Sequence, residues 1–284
     1  MGYKDILVAV DSAPSAEARI ELAAGLAERF GAHLIGLYHS ISFEAPHVRG
    51  YFEYFNRSLD DLYQEFAEQM RTDEAAVRGL FEEIASRHSL SAEWRQSIGY
   101  PSPHVAALHG RYVDLIVLGQ PDPDYVHTAL FQPSPAEVAL AVGRPMLVVP
   151  YAGKWADIGR RVVIGWDASR QATRAVNDAL PFLTAAETVT VLTVDPRDGP
   201  RGHGDVPGAD IALHLARHGV KATAQSTVST GIDVGNALLS RVSDLGADLL
   251  VMGAYGHSRE RELVFGGATR TVLATMTVPV LMAH

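Results

Sequence analysis

The chain has 284 residues, 47% of them hydrophobic, and a formal net charge of −9. It contains no cysteine, which excludes disulfides, thiolate nucleophiles and cysteine metal sites. An acidic surface disfavours nucleic acid and anionic membranes, and no apolar run approaches the ~18 residues that cross a bilayer.

The first predicted element is a buried strand, Ile6–Val10, apolar throughout and ending at Asp11. Its apolar run is too short for the core of a signal peptide, so a cytoplasmic location is expected. Ser15 is placed to cap a helix whose inner face is Ala16, Ile20, Ala23, Ala27 and Phe30, with Gly31 as its stop. His33–Tyr38 reads as a second strand. Residues 41–90 open with an aromatic stretch. They continue with Phe52, Phe55, Leu59, Leu62, Phe66, Met70, Val77, Leu80 and Ile84 at helical spacing. That spacing predicts a long helix covering the sheet; a lid over an apolar ligand pocket is the sharper alternative. Then come the strand Asp114–Gly119, a loop rich in Pro and Asp, and a closing strand within the run RPMLVVP at 144–150.

The order then repeats. RRVVIGWD at 160–167 echoes KDILVAVD at 4–11, DLLVMG at 248–253 echoes DLIVLG at 114–119, and VPVLMAH at 278–284 echoes RPMLVVP. The counterparts of the first elements are Val162–Trp166, a helix capped by Ser169, and Val189–Val194. Tyr151–Asp157 reads as the linker. The later pairs are 134 residues apart and the first pair 156, so the first half carries roughly 22 extra residues in its middle. Strands separated by helices imply parallel pairing with right-handed crossovers. The expectation is an α/β protein of two tandem, doubly wound, parallel five-stranded sheets. Residues 1–152 form one domain with its helical insert at 41–90, and residues 153–284 form the other. The excess of negative charge lies in the first half, with 11 Lys+Arg against 20 Asp+Glu in residues 1–152 and 13 of each in the remainder. A phosphate-bearing ligand should prefer the second half.

The chemistry-bearing pattern is a set of glycines. Gly253 follows the strand 248–252, Gly256 comes next, and nine residues later Gly266-Gly267-Ala268-Thr269 opens an expected helix, Ala268–Thr275. In parallel sheets ligands lie beyond the carboxyl ends of strands, glycine admits close backbone approach, and a helix start offers N–H groups to a phosphate. There is no phosphate-binding loop with lysine, and only three lysines in all, Lys4, Lys154 and Lys221. No G-x-G-x-x-G follows the first strand of either half, so a dinucleotide site is not expected.

The spacing Gly253-x2-Gly256-x9-Gly266, the strand-ending Asp167 and the VPVLMA strand together resemble the universal stress protein family, as a tandem over essentially the whole chain. The resemblance implies a Rossmann-like fold of the adenine nucleotide alpha-hydrolase-like kind. It also implies a stress-response role and an adenine nucleotide (ATP, ADP or AMP, with or without Mg). Asp167 would then lie against the adenine, flanked by Trp166 and the backbone near Val194. Met252 and Gly253 would lie near the ribose, and Gly256, Gly266, Gly267 and Ala268 would hold the phosphates. The family's Ser/Thr after the third glycine is Gly267 here, a hydroxyl donor lost. It further implies that the halves pair through 146–149 and 280–282, an intramolecular pseudo-dimer, with two such chains still free to associate.

In the first half the same alignment sets Asp122 opposite Gly256, Gln132 opposite Gly266 and Pro133 opposite Gly267. Prolines remove N–H donors and carboxylates repel phosphate, so this half should bind no nucleotide. Asp11 is expected there as a fold residue. His214 and His218, at i and i+4 with His203, Asp205 and Asp210 upstream, raise a metal site, but a solvated helix edge is the simpler reading. His257, Arg259 and Arg261 lie within the glycine loop, where one could meet a phosphate. No catalytic residue can be assigned, so a binding module is expected rather than an efficient enzyme. The alternatives are a slow ATP hydrolase or phosphotransfer protein, and a carrier of a small apolar ligand using the insert 43–66.

Overall fold

A computed structural model describes residues 2–41, 59–99, 103–125, 134–196, 206–255 and 267–284. In the first half β1 (Asp5–Val10), α1 (Ala16–Phe30) and β2 (His33–Ile41) are followed by α2 (Leu59–Arg87) and β3 (Ala92–Gly99). Next come α3 (Pro103–Gly110), β4 (Leu115–Gly119), α4 (Pro135–Val142) and β5 (Met146–Val149). The second half holds β6 (Arg161–Gly165), α5 (Arg170–Asp178), α6 (Leu180–Leu183), β7 (Thr188–Val194) and α7 (Ala209–Arg217). It ends with β8 (Ala222–Thr227), α8 (Val234–Asp244), β9 (Leu249–Gly253), α9 (Gly267–Thr275) and β10 (Val280–Ala283).

The strands form one sheet, in the order β3-β2-β1-β4-β5-β10-β9-β6-β7-β8. Each half is the expected parallel five-stranded unit, and the two units join in one continuous sheet. The final strands pair antiparallel, with Val280 opposite Val148 and Met282 opposite Met146. The carboxyl ends of the strands therefore point in opposite directions in the two halves.

Strand residues alternate between two cores, as the period of two requires. Ile6, Val8, Val10, Val162 and Ile164 pack on one face, with residues of α1, α2, α5 and α7. Leu7, Val163, Leu250 and Val280 pack on the other, with residues of α3, α4, α8 and α9. Both cores run across the seam. Tyr3 and Phe30 stack edge-on at 5.1 Å, Phe30 meets Phe182 at 5.4 Å, and the Tyr3 hydroxyl donates to the Asp178 carbonyl at 2.7 Å. Phe30, read as an inner-face residue of α1, is half-buried in this inter-half cluster.

Two carboxylates repeat a structural role. Asp114 accepts from the backbone N–H of Lys4 and Asp5, and Asp248 from those of Gly159, Arg160 and Arg161. Each reads in the sequence as the first residue of its strand, precedes the observed strand by one residue, and ties the start of the neighbouring strand.

Gly31 ends α1 in the left-handed conformation, as expected, and the Ser169 hydroxyl accepts from the Ala172 N–H at the start of α5. Ser15 does not cap through its side chain. It lies in a helical turn already, with Ala16 N–H bonded to the Ala13 carbonyl, so its hydroxyl is not aimed at the helix start.

The long helix of the insert is present over 59–87, while Phe52 and Phe55 lie outside the described residues. Its C-terminal part buries Val77, Phe81, Ile84 and Ala85 in the first core. Gly36 permits this approach, since a Cβ there would lie 2.8 Å from Trp94 and 2.9 Å from Phe81.

Candidate functional site

The site is built at the carboxyl ends of β6, β7 and β9. After β6 the chain turns at Ala168, which has a φ of 59°, and the Asp167 carboxylate accepts from the Ser169 N–H at 3.0 Å. Asp167 is exposed, and no ion pair joins it to a cation among the described residues. Trp166 is half-buried against the first core, and its backbone N–H donates to the Leu192 carbonyl at 2.9 Å. After β7, Val194 is half-buried against the second core, and Asp195 adopts a φ of 49°. The Asp195 carboxylate accepts from the Ser229 N–H at 2.9 Å and from its hydroxyl. That pair, the hydroxyl foremost, holds the Asp195 carboxyl below the ordinary carboxylate range. It also ties the ends of β7 and β8 together.

After β9, Ala254 N–H donates to the Ala283 carbonyl, and Tyr255 takes a φ of 57°. Tyr255 N–H donates to the buried Thr269 hydroxyl at 3.2 Å, which fixes this turn to the first turn of α9. Burial raises the Tyr255 phenol, with Glu137 of α4 adding to the effect. Three of the four non-glycine residues with positive φ among the described residues thus end strands of the second half, at ~1–2 kcal/mol each. Such strain at a strand end is a feature of ligand clamps.

Three helix N-termini converge here. A Cβ on Gly253 would lie 2.5 Å from the Ala172 nitrogen and 2.7 Å from Gln171, so the start of α5 packs directly on the end of β9. A Cβ on Gly235 would lie 2.9 Å from the Ala268 carbonyl and 2.8 Å from Thr271, so the start of α8 packs on the start of α9. Asp233 caps α8, accepting from Gly235 N–H at 2.9 Å. Each start brings the positive end of a helix dipole, although Asp233 takes the N–H groups of Gly235 and Asn236 at α8 and Ser169 takes that of Ala172 at α5. Exposed Arg170 and Arg270 stand on the first turns of α5 and α9. Their counterparts in the first half are Pro14 and Ala136.

The glycines divide by role. Gly253 is required by the packing of α5, which leaves no room for a side chain there. Gly267 is the opposite case: a Cβ there would meet nothing within 4 Å. Met252 is buried in the second core, which leaves its backbone as the part that could face a ligand. Ala268 is half-buried in the first turn of α9. Gly256, Gly266 and the loop with His257, Arg259 and Arg261 lie outside the described residues, as do Gln132, Pro133 and His203. The rings of His214 and His218 are 4.8 Å apart at the end of α7. Among the described residues no group of three or more His, Asp or Glu could hold a metal ion.

The equivalent place in the first half is filled by its own side chains. Arg19, 1% exposed, ion-pairs with the Asp11 carboxylate at 2.6 Å and donates to the Ala9 carbonyl at 2.9 Å. At the corresponding position of α5 stands Ala175. The turn 121–125 is closed by Asp122, which accepts from Asp124 N–H, and the Tyr125 hydroxyl donates to the Ser12 carbonyl at 3.3 Å. Sequence reasoning missed Arg19 because it was sought among apolar helix positions. Setting it beside Ala175 was the available signal.

A doubly wound α/β protein built as an antiparallel pair of parallel sheets, with a helix-start cluster in one half, is the class that fold and site define. The family model described as the universal stress protein family matches residues 159–284. Universal stress protein Slr1230 of Synechocystis is 24% identical over 300 residues, covering 98% of this chain and 99% of that protein. A universal stress protein structure from Archaeoglobus fulgidus superposes with a TM-score of 0.72 at 15% identity, over 98% of this chain and 95% of that one. A putative universal stress protein from Pseudomonas aeruginosa gives 0.56 at 17% identity, over 98% and 92%. The second half of the chain, residues 159–284, thus matches the universal stress protein family, and the chain as a whole is similar to proteins of that family.

Proposed function

We propose that this stress protein is a regulatory module that binds one adenine nucleotide per chain, in its C-terminal half. The observation that carries the reading is the contrast at matched strand ends. Asp167 is exposed and unclaimed by any cation among the described residues, beside three converging helix starts. Asp11 is sealed by Arg19. In this reading Asp167 meets the adenine between Trp166 and the Val194 backbone. The backbone of Met252 and Gly253 borders the ribose. The N–H groups at Gly267 and Ala268, with Gly256 and Gly266 of the loop, take the phosphates. Arg170 and Arg270 add positive charge that the first half lacks. The same proposal divides the chain into domains at 1–152 and 153–284, the second carrying the nucleotide loop and the first the insert.

Backbone N–H bonds to a charged phosphate contribute roughly 1.5–3 kcal/mol each, offset by ordering of the loop. With no hydroxyl at Gly267, micromolar affinity is expected. Calorimetric titration of the whole chain with ATP, ADP and AMP tests this, the whole chain being used because both cores span the halves. One nucleotide per chain, lost in Asp167→Ala, is the expected result. Two sites per chain, or none for all three nucleotides, rejects the reading. Turnover near ordinary enzyme rates of ~1–10³ s⁻¹ would assign an enzyme instead.

A further inference from the structure

The surface between α1 and the end of α2 contains a charge cluster unrelated to the nucleotide site. The His88 ring, just past α2, is 22% exposed and lies between two glutamates of α1. Its Nδ1 is 2.7 Å from a Glu28 carboxylate oxygen, and its Nε2 is 3.2 Å from a Glu21 carboxylate oxygen. A neutral imidazole has one N–H and one lone pair, so it can donate to only one of the two. The other ring nitrogen would then face a carboxylate lone pair to lone pair. Only the doubly protonated ring donates to both. On its own element the neighbouring charges are Arg87, 2.5 Å from the second Glu21 oxygen, and Glu83, 3.4 Å from Arg87. His33, on β2, is bonded to Ser91 instead.

We propose that His88 is a pH-operated clasp: protonation closes it and fastens α2 to α1, and deprotonation releases one of its two carboxylate contacts.

The position gives the clasp leverage. Val77, Phe81, Ile84 and Ala85 bury the C-terminal part of α2, whereas residues 64–76 are exposed or half-buried. The clasp acts where the helix is anchored, at the joint between the insert and the sheet. The bond to Glu28 is the chief reason that His88 stays protonated above the ordinary histidine range, with Glu21 adding to it and burial opposing. The sign follows. A pKa raised by folding gives a stabilisation that is complete below the unfolded value of ~6.5. It fades as pH rises through the folded value.

Titration of the histidine ring resonances of the intact protein tests this directly, with His88→Gln providing the assignment. The His88 resonance should titrate above ~6.5, and Glu28→Gln should move its midpoint down. Amide exchange along α2 should quicken from pH 6 to pH 8 more in the native protein than in His88→Gln. Nucleotide affinity should be unchanged in both variants, since the clasp is in the other half; this keeps its failure separate from failure of the nucleotide reading. A midpoint at or below ~6.5, or α2 exchange with the same pH dependence in native protein and His88→Gln, overturns the clasp.

Discussion

The ends of β1 and β6 carry the same aspartate in the same local turn, yet the two carboxylates meet different surroundings. Both bond the N–H two residues on, Asp11 to Ala13 and Asp167 to Ser169. One turn into the following helix the first half has Arg19 and the second has Ala175. A single long cation converts a strand-end cleft into a buried ion pair; its absence leaves a carboxylate for an outside partner. A duplicated scaffold can thus close one strand-end cleft by supplying an internal ligand, with the backbone frame left unchanged.

The largest expected effect breaks that ion pair. Asp11→Ala leaves the Arg19 guanidinium buried without its partner and should destabilise the protein by ~3–5 kcal/mol. Asp167→Ala, at the exposed counterpart, should cost ~1 kcal/mol or less. Urea denaturation of the two variants measures the difference, and equal costs would erase the contrast between the halves. Next comes Gly253→Ala, which forces a Cβ against the Ala172 nitrogen and should cost ~1–3 kcal/mol, whereas Gly267→Ala meets open space and should leave the melting midpoint near its native value.

A third test concerns the seam. Gln120, buried at the end of β4, donates to the Leu273 and Ala274 carbonyls at 3.0 and 3.1 Å, holding the last turn of α9 across the two halves. Gln120→Ala should cost ~1–3 kcal/mol in denaturant unfolding. The smallest effect sharpens the site itself. Gly267→Ser restores a hydroxyl where there is room for it, and should tighten nucleotide binding about tenfold, the equivalent of ~1.4 kcal/mol. A calorimetric affinity unchanged by the serine would place the phosphates elsewhere.

Much of this was legible in the sequence. The repeated strand-Asp, DLIV-type and closing runs mark strands because parallel strands buried on both faces need continuous apolar residues. Even the pairing of Met146–Val149 with Val280–Met282 was expected, although from family resemblance and not from strand composition. Side-chain aim was not legible. Ser15 reads as a cap, but its backbone is already helical. Gly253 reads as a backbone-approach glycine, and the demand of α5 for the space beside it shows only in the tertiary packing. Arg19 carries no reading from the sequence at all, because its charge pairing with Asp11 is decided by tertiary proximity. Asp195 and Ser229 are 34 residues apart and join only once β7 and β8 are adjacent. The loop 256–266, where the sequence signal is strongest, lies outside the described residues.

The antiparallel junction of β5 and β10 has a consequence for dilution. Two separate copies meeting at this seam would part as their concentration fell, and any substitution would appear on both sides at once. Here one covalent chain supplies both strands, at an effective concentration on the order of millimolar for a short flexible connection. Unfolding of the junction should therefore be independent of protein concentration. Each side is also free to diverge alone, which is the condition under which Arg19 can seal one cleft while its twin stays open.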